Sequence, residues 1–129
     1  MMDDPSLDAV RMQPPENLRS LADLVPLLER LVDAFDAHQV AVLLGTETRI
    51  IEQCKDRRLD IGHELAKRVM ALHEVMTRAM RIFQPRTAMA WLVGSEPYLG
   101  YVRPIDVLVT RGSAPVIEAL DAIDSGGYP

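Results

Sequence analysis

Cysteine is almost absent from this chain. Cys54 stands alone, so no internal disulfide can form, and a reducing, cytoplasmic setting is the expectation. Histidine is nearly as scarce, with only His38, His63 and His73. The last two are ten residues apart and point to different sides of a helix, whereas helical metal ligands sit three or four apart. No zinc site is expected, and no cofactor. Aromatic residues are 5% of the total, and no apolar run approaches the ~18 residues that cross a bilayer. Residues 1–20 lack the apolar core of a signal peptide. A glycine-rich phosphate loop, a nucleophile elbow and a pair of carboxylates in an apolar setting are all missing, so an enzyme is not expected.

What is there suits a small folded domain, or two very small ones sharing a core. Hydrophobic residues make up 48% of the 129 and charged residues 26%, an ordinary globular balance. The net charge of −5 is unevenly spread: residues 49–86 hold nine Lys/Arg against five Asp/Glu, leaving the remainder at −9. A basic middle between acidic ends can meet phosphate locally, although solvated helix faces produce the same pattern.

Residues 1–20 read as a flexible lead: acidic, interrupted by Pro5 and Pro14-Pro15, and without an apolar face. From Leu21 the pattern turns helical. Leu24, Leu27, Leu28, Leu31, Val32 and Phe35 recur at three and four, and Pro26 suits a first turn. Gln39–Leu44, Gly45 and Glu47–Lys55 then form two short helices about a glycine turn, the helix-turn-helix pattern. Ala41 is the small residue such a corner needs, and Ile51 and Cys54 are its apolar plugs. If the second helix reads DNA, Thr48, Arg49 and Gln53 face outward toward bases, while Lys55, Arg57 and Arg58 follow for phosphates. Glu47 and Glu52 oppose phosphate, and an αα-corner without DNA fits the same residues.

Residues 61–83 carry the longest stripe, through Leu65, Val69, Leu72, Met76, Ala79, Met80 and Phe83; such a stripe is core or dimer seam. Gln84-Pro85 ends it. Thr87 is the expected cap of a helix through Trp91 and Leu92 that closes at Gly94. "SEPYLGY" reads as a turn, Pro104 opens another helix ending near Gly112, and Ser113 is expected to cap the last one. Val116, Ile117, Leu120 and Ile123 form that helix's buried side. No strand-period alternation and no repeat occurs. The expected fold is all-α, a small helix-turn-helix unit (21–83) joined by a long helix to a compact C-terminal helical unit (84–129).

In the stretch Ala90–Leu108, a tryptophan, a Pro-Tyr-Leu-Gly turn and a helix-opening proline read as an aromatic, uncharged constellation with no evident catalytic group. It combines Trp91-Leu92, Pro97-Tyr98-Leu99-Gly100 and a helix from Pro104 to Leu108. Gly112, an amphipathic segment from Val116 to Ile123, and Gly126-Gly127-Tyr128-Pro129 follow in order. This series resembles the toxin-binding domain of the MbcA/ParS/Xre family of antitoxins, whose members carry an Xre-like helix-turn-helix upstream. Where that family usually has threonine or a similar small residue before the helix-opening proline, this chain has Arg103, which removes a side-chain cap of about 1 kcal/mol.

The resemblance implies a type II antitoxin. Its cognate partner would be a RES-type toxin that degrades NAD⁺, held by Trp91, Tyr98, Leu99, Arg103 and the tail Gly126, Gly127, Tyr128 and Pro129, the tail reaching the toxin's active-site entrance. It also implies a homodimer and binding to operator DNA of its own operon. An inhibitor of this kind needs a rigid surface and a plug, not catalytic groups. A stand-alone helix-turn-helix regulator without a toxin is the other expectation, and a structural adaptor a more distant one.

Overall fold

The computed structural model of the chain describes residues 24–126. The expected flexible lead at 1–20 and the tail residues Gly127, Tyr128 and Pro129 lie outside them. Among the described residues there are seven α-helices, one 3-10 helix and no strand, the expected all-α fold. In chain order they are α1 (Val25–Phe35), α2 (Ala37–Leu44), α3 (Thr48–Lys55), α4 (His63–Ala79) and α5 (Pro85–Val93). The 3-10 helix Pro97–Leu99, α6 (Pro104–Arg111) and α7 (Ser113–Ser125) complete the series.

Local chemistry sets most boundaries. Pro26 falls in the first turn of α1, where a missing N–H is harmless. Asp36 (φ 87°) breaks the chain between α1 and α2, and its Oδ1 accepts from the Gln39 amide at 2.9 Å. That cap starts α2 at Ala37, two residues ahead of the Gln39 the apolar spacing indicates. Gly45, left-handed at φ 70°, closes α2, as its place at the turn requires.

Three expectations need correction. The long stripe yields a helix of 17 residues, not one extending to Phe83. After Ala79 the chain tightens into turns, the Phe83 amide donating to the Ala79 carbonyl at 2.8 Å. Pro85 forces Gln84 extended (ψ 157°), so an unbroken helix has no way onward. Thr87 caps nothing, because Pro85 opens α5 and Gln84 is its N-cap residue. Ser113 is the first residue of α7 rather than its cap, and its hydroxyl donates to Glu74 Oε1 at 2.7 Å.

The core is contiguous across both halves. Leu28, Ile51, Leu72, Leu92 and Leu120, from five different helices, are fully buried in one cluster. α4 is the common wall: α1, α2, α6 and α7 all pack on it. Arg78 of α4 pairs with Asp121 of α7, which pins the last helix beside the long one.

Candidate functional site

A buried carboxylate sits at the centre of the resemblance-bearing stretch. Glu96 is 2% exposed, the one buried charged side chain among the described residues. Its Oε1 accepts from the Trp91 indole Nε1–H at 2.7 Å, and its Oε2 accepts from the Tyr98 amide at 2.7 Å. The backbone repeats the pattern: the Glu96 carbonyl accepts from the amides of Leu99 (3.0 Å) and Tyr101 (2.8 Å), and its amide donates to the Val102 carbonyl at 3.2 Å. The carboxylate thus ties α5 to the 3-10 turn, while the Glu96 backbone closes the loop in a bridge to Val102.

This lock sets what the turn displays. Trp91 is half-buried against Phe83, the ring centroids 6.2 Å apart. Leu99 packs partly into the core, whereas Tyr98 is 45% and Tyr101 71% exposed. Gly100 and Tyr101 are both left-handed, at φ 75° and 71°. For glycine that costs little; for tyrosine it is strained, and strain of this kind accumulates where a side chain must be presented. Ser95 helps hold the strained residue by donating to the Tyr101 carbonyl at 2.9 Å.

Arg103 follows the bridge. It is exposed and does not cap α6; instead its Nε and Nη2 each donate to a carboxylate oxygen of Asp106 at 2.9 Å. The hydrogen bonds, with the charge, hold the Asp106 carboxyl below its ordinary range and push the guanidinium up. Trp91, Tyr98 and Leu99 therefore belong to one locked element, Arg103 follows it on the α6 side, and Gly126 (φ 77°) closes α7, which itself packs against the 3-10 turn. Sequence reasoning passed over Glu96 and Tyr101. Pro97 marks the start of a turn in sequence, but glutamate is not among the usual N-cap residues, so the cap that Glu96 makes shows only in the fold. Nothing in the sequence marks the strain at Tyr101.

The helix corner has the expected interior. Ala41, Ile51 and Cys54 are at most 1% exposed, and burial, then Asp60, pushes the Cys54 thiol up, so it sits protonated inside the corner. Outside, Arg49 is held by Glu47 at 2.9 Å and Thr48 Oγ1 lies 3.3 Å from His38 Nδ1. Gln53 and Lys55 are half-buried, and Arg57 and Arg58 are exposed in the turn after α3. Lys55, Arg57 and Arg58 make no ion pair among the described residues. Residues 47–58 carry four basic and three acidic side chains, a weak positive field.

Arg68 of α4 joins corner and body. Its Nη1 donates to the Leu44 carbonyl at 3.0 Å, filling an orphan acceptor at the end of α2. No family model, no curated protein and no solved structure matches the chain.

Proposed function

We propose that the chain is an antitoxin: a cytoplasmic, homodimeric protein that neutralises a RES-type, NAD-degrading toxin by binding it and obstructing its active-site entrance. The observation that carries the reading is the Glu96-locked turn, which holds Tyr98 and Tyr101 out in fixed positions within the stretch resembling that family's toxin-binding domain. Rigid exposed aromatics are efficient anchors because little side-chain entropy is lost when they enter a partner's pocket. The surface element works without chemistry of its own. The Gly126–Pro129 tail would complete it, its aromatic ring seated as an anchor in the toxin's active-site entrance.

The test is co-expression with the neighbouring gene's product. Growth arrest with loss of cellular NAD⁺, reversed by this protein, is the expected result; deletion of Gly126–Pro129 should leave folding intact and abolish the reversal. Full protection by the truncated chain would remove the plug from the mechanism, and a harmless neighbour would remove the antitoxin reading.

A second reading rests on the helix corner, where Lys55, Arg57 and Arg58 are unpaired among the described residues: the chain would be a transcriptional regulator, alone or as an autorepressor. Salt-dependent binding to upstream DNA is its signature. Arg49→Ala should weaken that binding, and unchanged affinity would exclude α3 as the reading helix.

A further inference from the structure

On the side of α4 away from the corner, α1 and α4 leave an open groove of about 330 Å³. Its floor is apolar, formed by Leu31, Ala34, Met76 and Met80, and Met80 is 39% exposed. Arg30 and Arg81 stand on its rim, with His73 and Thr77 between them, and among the described residues no carboxylate lines it. Arg49, Arg68, Arg78 and Arg103 each pair with an acid. Arg30 and Arg81 do not, among the described residues. An apolar floor with an unpaired cationic rim calls for an occupant that is apolar and acidic together.

The chain supplies one. Residues 3–10, "DDPSLDAV", hold three aspartates, no lysine or arginine, and the apolar Leu7 and Val10. We propose that this acidic segment of the same chain docks in the α1–α4 groove, its aspartates on Arg30 and Arg81 and its apolar side chains on Met76 and Met80. Reach is sufficient. Arg30 lies about 9 Å along α1 from Leu24, and the residues between Val10 and Leu24 can span roughly 45 Å. Tethering raises the local concentration of the segment to the millimolar range, so a contact too weak to hold a free peptide still holds this one. The contact is an electrostatic latch: salt loosens it, and release uncovers the apolar floor and exposes the segment to proteases. This inference is independent of the antitoxin reading.

The experiment measures thermolysin cleavage within residues 6–12 of the full-length chain, together with the methyl resonances of Met76 and Met80. Asp3/Asp4/Asp8→Asn and Arg30→Glu/Arg81→Glu should each speed cleavage about three- to tenfold, as expected when proteolysis follows the open population. Each should shift both methyl signals. Pairing Arg30→Glu/Arg81→Glu with Asp3/Asp4/Asp8→Lys should restore slow cleavage, a rescue that a merely misfolded variant cannot show. The aspartate variant alters no residue of the helical body, so it remains decisive if the arginine variant unfolds. Unchanged rates with unmoved methyls overturn the proposal. Protection that rises with protein concentration overturns it too, by placing a second copy's segment in the groove.

Discussion

At the scale of the residue, Glu96 shows how one side chain organises a surface. Two N–H donors converge on its two carboxylate oxygens from opposite sides of the loop, the Trp91 indole and the Tyr98 amide. A carboxylate accepts from both; a primary amide accepts with only one atom and offers donors with the other. Glu96→Gln is nearly isosteric, yet it sets an N–H₂ against an N–H inside a buried site. The expected cost is about 1–3 kcal/mol, the range for a buried donor left unsatisfied. Denaturant unfolding followed by Trp91 fluorescence measures it directly, since the indole is one of the two groups affected. A loss under a few tenths of a kcal/mol would mean that the turn holds without this carboxylate.

At the scale of the element, the α2–α3 corner depends on one conformation. Gly45 sits at φ 70°, and a β-carbon there would lie 3.2 Å from Arg68 Nη1, the atom that binds the Leu44 carbonyl. Gly45→Ala therefore combines left-handed strain with a push on the strap holding α2 to α4. A loss of about 1–2 kcal/mol is expected from the backbone term alone. Hydrogen exchange should show it first at the amides of α2 and α3, while α7 stays protected. The corner was legible in sequence because a glycine turn, Ala41 and Ile51 each have a local physical signature. The end of α4 was not: Met80 and Phe83 continue the apolar period, yet the chain leaves the helix for turns after Ala79, ahead of the extended Gln84 that Pro85 imposes. Ser113 was misread for a related reason. Its hydroxyl resembles a cap in sequence, but Glu74, 39 residues away, takes its hydrogen bond in the fold. Caps are local, whereas such competition is tertiary and leaves no mark on neighbouring residues. The candidate surface divides the same way: its aromatics and turn were readable, but the convergence of Trp91 and Tyr98 on Glu96 depends on the loop closing back to Val102.

At the scale of the whole molecule, the halves are one packed body with α4 as the shared wall, so a perturbation on α4 reaches global stability. His73 is such a point. It lies on α4 in the groove shared with α1, half-buried, and burial first, then the Arg30 charge, lowers its pKa below the ordinary 6.5. In the unfolded chain the imidazole takes up a proton as pH falls through its ordinary value, while in the folded chain it resists protonation. The unfolded state then binds more protons, so stability is fully present above 6.5 and drains away as pH falls toward the lower folded value. Denaturant unfolding of the Asp3/Asp4/Asp8→Asn chain, which brings no carboxylate to His73, should show the folded state weaker at pH about 5.5 than at about 7.5. His73→Gln should flatten most of that difference, because a neutral amide of similar size does not titrate. A variant that keeps the full pH dependence would move its origin away from the α1–α4 seam. If His73 is the source, mild acid should also open that seam before the corner or α7, and exchange at the α1 amides should rise first.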